Sequence, residues 1–312
     1  MFILDTFSWE IIVLFAALSL GASFVNGALG YGFSSLSIPI AVLIMPNKIL
    51  NPAFVIVELL INSAMLVYER KHFIHVISRT MAVIVPMLPG VVAGSYLLSI
   101  VHPDYVRIFL YIFLLPLILL QAAGFRRPIK SEFTFKIPFG IGLGTCYSLT
   151  TISGPPLALF WNNQGLAKNE FRAALAQIRF AETAYTGIAY VALGLYNPIS
   201  TQLSILLLIP IMFGIPLGAY SINKMGAPTF RRICMSFDAW IVGYGLSRIL
   251  SDLQMLGGRL AYSILGAVII IDGWLLYSFF SGNQRGPLGI LNAGGMKKQG
   301  IREGIPSAEP PP

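Results

Sequence analysis

Charge is scarce in this chain. Of 312 residues only 11% are Asp, Glu, Lys or Arg, 56% are apolar or aromatic, and the mean hydropathy is +0.75. A soluble domain carries about 25% charge, so the composition points to an integral membrane protein and excludes a soluble enzyme. Cysteine is nearly absent: Cys146 and Cys234 stand far apart inside apolar segments, with no CxxC or His-containing ligand spacing. Both read as packing residues. Histidine is limited to His72, His75 and His102, all in connections or at segment ends. With no HExxH and no DxxxD for a metal-bound diphosphate, an intramembrane hydrolase or metalloenzyme is disfavoured, and neither metal nor cofactor is expected. A basic leader is also missing. Asp5 and Glu10 flank the start of the first apolar run, which is therefore expected to remain as a membrane segment.

What is present is a series of eleven apolar stretches. Hydropathy places them at about 10 to 28, 32 to 46, 52 to 68, 80 to 101 and 106 to 123, then at about 137 to 149, 153 to 163, 172 to 196, 203 to 222, 233 to 250 and 260 to 281. A helix needs roughly 20 residues to cross the hydrocarbon. The stretches 32 to 46, 137 to 149 and 153 to 163 fall short, so broken or re-entrant helices are expected there.

The net charge of +8 is topological. Sixteen of the 21 Lys and Arg lie in five places: Arg70, Lys71 and Arg79; Arg126, Arg127, Lys130 and Lys136; Lys168 and Arg172; Lys224, Arg231 and Arg232; and Arg285, Lys297, Lys298 and Arg302. Such loops mark the cytoplasmic side. Lys48, Arg107 and Arg259 remain for the other side, which puts the N-terminus outside and the C-terminus in the cytoplasm. No nucleic-acid partner is expected. The stretch 282–312 is Gly-rich, ends in Pro310, Pro311 and Pro312, and reads as a disordered tail.

The two halves repeat. Pro86, Gly90, Gly94 and Tyr96 recur as Pro210, Gly214, Gly218 and Tyr220, a constant offset of 124, and Arg107 meets Arg232 with one insertion. Each half also opens on a Gly-rich turn running towards Pro: Gly27, Gly30, Gly32 and Pro39 in the first, and Gly144, Ser153, Gly154, Pro155 and Pro156 in the second. A duplicated unit of five segments must insert upside down the second time. Inverted repeats of this kind build secondary transporters.

Helices broken at these turns expose main-chain groups that must line a polar cavity. The N–H groups of a half-helix N-terminus favour an anion, so Gly30, Gly32, Ser34, Ser35, Thr150, Thr151, Ser153 and Gly154 are candidate binding residues. Close helix packing through small residues is the plainer alternative. Ionisable groups at membrane depth are Glu58, Arg179, Glu182, Asp238, Arg248 and Asp272. Arg179 and Glu182, three apart on one helix, are spaced to form a structural salt bridge. The alternative gives Arg179 the anion, with Gln177 and Asn62 nearby, and leaves Glu182 or Glu58 to carry a coupling proton. Asn62 and Glu182 occupy loosely similar repeat positions. Asp238, Arg248 and Asp272 read as structural.

At the two Gly/Pro openings the chain resembles the sulfite exporter TauE/SafE family of bacterial permeases over roughly residues 10 to 250. Gly27, Gly30, Gly32 and Pro39 look like its glycine-rich turn and proline, with Asn62 and Arg70 where the family has similar residues. Ile152, Ser153, Gly154, Pro155 and Pro156, then Phe171, Arg172 and Ala173, look like its other signature. The resemblance implies transport of a small organosulfur anion such as sulfite, a sulfonate or a sulfoacetate-like compound across the bacterial inner membrane. Three features depart from the pattern: Thr145, Cys146 and Tyr147 replace a more glycine-rich stretch, Glu182 adds an acid, and the segment 260 to 281 extends past the usual end.

The expectation is thus an all-α, polytopic membrane protein, not an enzyme, with a first repeat at 1–123, a basic linker at 124–136, a second repeat at 137–250, an additional helix within 251–281 and a tail at 282–312. Its partners would be a small anionic substrate, the lipid bilayer and, as an option, a second copy in a homodimer. An anion channel and a permease for a small carboxylate are the rival readings.

Overall fold

The computed structural model describes residues 7–68, 70–123, 132–162, 168–221 and 227–281. The expected tail at 282–312 and most of the basic linker lie outside the described residues. Among the described residues the protein is all α-helix, with eleven α-helices and one 3₁₀ turn, Arg70–His72. The first half holds α1 (Trp9–Leu29), α2 (Phe33–Ala41), α3 (Asn47–Tyr68), α4 (Phe73–Ile100) and α5 (Pro103–Ala122). The second holds α6 (Glu132–Thr150), α7 (Gly154–Asn162), α8 (Lys168–Ala192), α9 (Pro198–Ser221) and α10 (Ala227–Asp252), followed by α11 (Gly258–Phe280). Seven of these are long and apolar enough to cross a membrane. The chain is a multi-spanning membrane protein.

Two of the three short stretches are short helices, and one is not. At 9 residues each, α2 and α7 are about 14 Å long, half a hydrocarbon thickness. By contrast α6 is 19 residues long because its helix begins at Glu132, before the apolar run at 137. Hydropathy cannot register a helical turn that contains Glu132 and Lys136. The same effect moves the start of α4 from about 80 back to Phe73, across His75 and Arg79.

The breaks fall at the Gly-rich turns, by the same backbone device. Gly30 ends α1 with φ 82°, its N–H donating to Asn26 O at 2.7 Å, and Gly32 (φ 112°) precedes α2. In the second half Thr151 takes φ 56°, its N–H donating to Tyr147 O at 2.5 Å, and α7 opens at Gly154 with Pro155 and Pro156 in its first turn. A first turn has no internal acceptor for its N–H groups, so proline loses nothing there. Pro39 lies within α2 rather than at the break.

The pairings echo across the halves: α1 packs on α9 and α6 on α4, α3 meets α9 and α8 meets α4, α2 meets α10 and α7 meets α5. Between them α3 crosses α8, and α5 crosses α10. The repeated glycines make the two largest contacts possible. A Cβ at Gly214 or Gly218 would strike Ser23 or the Phe24 carbonyl on α1, and one at Gly90 or Gly94 would strike the Ile141 or Thr145 carbonyl on α6. Gly27 and Gly144 return the contact against Ile215 and Met87. Small residues let backbones approach where no hydrophobic force drives helices together in lipid.

The outward surface is apolar, with Val85, Val92, Ile188, Ile209 and Met212 all exposed, while Ser19, Ser23, Asn26, Asn51, Glu58, Asn62, Glu182 and Thr183 are buried. Polar groups therefore gather on the inside of the bundle.

Candidate functional site

A cluster of buried polar side chains forms where α3 crosses α8 beside the two breaks. On α8, Arg179, Glu182, Thr183 and Thr186 share one face at helical spacing, and all are buried. From α3 come Glu58 and Asn62, from α1 Asn26, from α6 Tyr147, and from the turn before α7 Ser153.

Arg179 pairs with Glu58, not with Glu182. Its Nη2 donates to Glu58 Oε1 at 2.9 Å, and its Nη1 reaches Asn26 Oδ1 at 3.5 Å. Tyr147 donates its hydroxyl to the other oxygen, Glu58 Oε2, at 2.7 Å. The salt bridge expected along α8 is replaced by one between helices of different halves, because α3 delivers a carboxylate with both its oxygens bonded. Glu182 is served instead by the Ser153 hydroxyl, which donates to its Oε1.

Asn62 ties the two crossing helices together. Its Nδ2 donates to Thr183 Oγ1 at 2.9 Å and to the Arg179 carbonyl at 3.3 Å. Three buried atoms in the cluster lack a hydrogen-bond partner among the described residues: Arg179 Nε, Glu182 Oε2 and Thr186 Oγ1. One donor of a fixed cation and one acceptor of a carboxyl are thus left over on the same helix face. Buried polar groups are seldom left unmet, so these atoms are where a bound molecule or water would make its bonds.

The other anticipated residues are placed less uniformly. Gly30 and Gly32 form the first break, and Gly154 abuts Tyr31 and Ser35 of the opposite one. Ser35 donates to the Gly32 carbonyl at 3.2 Å, Thr150 to the Cys146 carbonyl at 2.7 Å and Thr151 to the Thr150 carbonyl at 2.7 Å, so these hydroxyls are used locally. Ser34 is buried in the first turn of α2. Gln177 faces away from the cluster: Thr80 donates to its Oε1 at 2.5 Å and its Nε2 donates to the Phe73 carbonyl at 2.9 Å, which ties α8 to α4. Arg172 lies over the Tyr68 ring at 6.0 Å.

Sequence reasoning missed Asn26, Tyr147 and Thr183, whose types are ordinary in a helix. It also missed a symmetry that was available. The offset of 124 that carries Gly90 onto Gly214 carries Glu58 onto Glu182, a closer match than Asn62 with Glu182. The two acids thus share the offset of the repeated glycines but stand in unequal surroundings, one holding Arg179 and the other only Ser153.

The short helices are anchored by α5. Tyr111 donates to the Pro39 carbonyl on α2 at 2.9 Å, and Gln121 to the Pro155 carbonyl on α7 at 3.4 Å. The freed carbonyls at the end of α6 are also taken, Leu149 O by Asn51 Nδ2 at 2.7 Å and Ser148 O by the Tyr190 hydroxyl. Elsewhere, Asp272 on α11 pairs with Arg232 on α10 at 2.8 Å, and Arg248 meets Asp252 at 3.7 Å on the surface. Among the described residues no three His, Cys, Asp or Glu side chains gather as a metal site would require.

A family described as sulfite exporter TauE/SafE matches the chain over residues 14–244. No curated protein and no solved structure gives a significant match. The matched range covers α1 through most of α10, and so every residue of the buried cluster.

Proposed function

The chain belongs to the TauE/SafE sulfite exporter family, and from that premise we propose that it is a secondary active transporter moving a small organosulfur anion with a proton. Members of the family are transporters rather than enzymes, and the multi-pass helical fold agrees with that class. The observation that carries the finer reading is Arg179, a buried cation between the two broken helices with its Nε unbonded, beside a carboxyl, Glu182, whose Oε2 is unbonded.

The electrostatics support anion and proton together. Glu58 already neutralises Arg179, so an anion arriving beside an ionised Glu182 would be repelled at short range. Protonation of Glu182 removes that repulsion and turns an acceptor into a donor. The acid group of the substrate would then take the Arg179 guanidinium, the Ser153 hydroxyl and the Gly154 N–H at the start of α7, where Pro155 and Pro156 have no N–H to give. Glu58 holds the cation in place between cycles.

The reciprocal pairings of α1 with α9 and α4 with α6, and the shared offset of 124, support two inverted repeats of five helices with α2 and α7 as re-entrant half-helices and α11 added. The N-terminus would lie outside and the C-terminus in the cytoplasm of a bacterial inner membrane.

Thermal unfolding of the purified protein with sulfite, sulfate, thiosulfate, taurine, sulfoacetate and simple carboxylates tests the substrate class, because a bound ligand raises the melting point by mass action. Stabilisation by sulfur oxyanions or sulfonates is expected. Stabilisation by carboxylates alone would reassign the substrate, and flux that neither saturates nor responds to a proton gradient would favour a channel.

A further inference from the structure

A second unpaired carboxyl lies outside this cluster. Asp238, on α10, borders a small cavity whose other walls include Tyr31, Gly32 and Ser35 at the first break, Gln121 on α5 and Pro155 on α7. The Oδ1 of Asp238 is buried and has no hydrogen-bond partner among the described residues. The cavity therefore touches both broken helices and an acid at once.

No lining side chain is a cation. The titratable groups that face Asp238 there are the Tyr31 phenol and the Cys234 thiol, while α1 contributes only Val25 and Leu29 to the same wall. Arg232, six residues earlier on α10, is engaged by Asp272 of α11 and Ser236. A carboxylate without a counter-ion in such a place costs several kcal/mol, and a proton removes that cost. A packing role needs no acid here, since Asn or Leu of similar size would serve it at less expense.

The cavity is also next to the site already described. Ser153, which bonds Glu182, is followed by Gly154, which abuts Tyr31 and Ser35, and then by Pro155, which lines the cavity. Three consecutive residues thus separate Glu182 from the space beside Asp238. Gln121 stands one residue from the end of α5, so the cavity lies towards the membrane face that the helix reaches there.

We propose that Asp238 is a second proton-carrying residue of the transport cycle, exchanging a proton with Glu182 through water in this cavity and with the aqueous phase at the α5 end. In the transfer the O–H bond on one carboxyl breaks as a water oxygen takes the proton, and that water's own proton passes to the other carboxyl, leaving one acid and one carboxylate as before. The idea rests on the proton-coupled reading above. It goes beyond that reading by assigning the path and its exit.

Two measurements on the full chain decide it. Infrared difference spectra of the substrate-free protein in lipid, in H₂O and D₂O, are expected to show a protonated-carboxyl band that Asp238→Asn removes and Glu182→Gln leaves. An unchanged spectrum in Asp238→Asn would overturn the proposal without any transport assay. In proteoliposomes carrying a pH dye and supplied with methanesulfonate, a sulfonate ionised throughout the range, Asp238→Asn should lower proton movement by about tenfold or more while methanesulfonate exchange stays within roughly twofold. Proton movement that persists in Asp238→Asn beside a coupled wild type would sink this proposal alone. Wild-type flux without protons would sink the coupled reading and this one with it. Asn matches a protonated Asp in shape, and Asp238→Glu, expected to retain the infrared band at a shifted position, covers the case in which Asn fails to fold.

Discussion

Arg179 meets Glu58 at 2.9 Å and Arg232 meets Asp272 at 2.8 Å, and both pairs are almost wholly withdrawn from solvent. Their chemistry is the same, but their settings are not. Arg232 gives one nitrogen to Ser236 of its own helix and another to both the carboxylate and the carbonyl of Asp272. That cage joins α10 to α11, a helix beyond the matched range. Arg179 joins helices of opposite halves, and its carboxylate partner is shared with Tyr147, while Asn26, Asn62 and Thr183 close around it. A further acid, Glu182, stands one turn away. Both pairs leave buried atoms unmet, Arg232 Nε and Asp272 Oδ2 at the periphery as well as Arg179 Nε at the centre; what sets the central pair apart is a second carboxyl, Glu182, held by Ser153 at the second break.

The largest effects are expected at the central pair. Arg179→Ala should weaken binding of whichever anion stabilises the protein by roughly 10- to 100-fold, the loss of a charge-assisted hydrogen bond. It also strands Glu58, at a stability cost of about 3–5 kcal/mol. Lysine should not rescue binding, because Glu58 and Asn26 use separate nitrogens of a planar fork. The double change Arg179→Met with Glu58→Leu removes both charges and should restore the melting temperature but not the transport. A double variant that transports anions would show that the central pair is only a fastener.

The peripheral pair should answer differently to the same operation. Asp272→Ala alone leaves Arg232 buried and uncompensated and should cost about 3–5 kcal/mol in thermal or denaturant unfolding. Replacing both residues, Arg232→Met with Asp272→Leu, should be neutral or stabilising by up to about 4 kcal/mol, with anion flux unchanged within the error of the assay. Loss of flux in that stable double variant would place α11 in the transport cycle and make the peripheral pair as functional as the central one.

Much of the architecture was legible in the residues, because membrane spans declare themselves by length and apolar content. The breaks at Gly30–Gly32 and Thr151–Ser153 were legible for a related reason: glycine and proline are needed where a helix must stop without water to satisfy it. The partner of Arg179 was not. Glu58 is 121 positions away, and nothing in periodicity says which of several buried acids a cation meets once α3 and α8 cross. Glu182 is nearer along the chain, but its carboxyl is directed to Ser153 at the second break. The polar first turn of α6 was hidden because hydropathy scores residues, whereas a helix needs only hydrogen bonds to continue. Tyr147 interrupts a stretch otherwise rich in small residues, and its purpose shows only with Glu58 beside it. Gln177, chosen for its closeness to Arg179, is turned to α4 by two residues of helical rotation.

Arg248 offers the mildest test, and it isolates burial from charge. It is an arginine in a long helix like the other two, yet its side chain is 44% exposed and its partner Asp252, one turn on at 3.7 Å, is 62% exposed. An exposed pair at this spacing gains little, since water screens it and both side chains lose freedom in forming it. Arg248→Ala should therefore move stability by no more than about 0.5 kcal/mol and leave the affinity for the stabilising anion unaltered in the same thermal screen. If instead its effect on binding equalled that of Arg179→Ala, cationic charge anywhere in the bundle would suffice to explain anion affinity. The particular geometry of Arg179, Glu58 and Glu182 would then lose its claim to be the site.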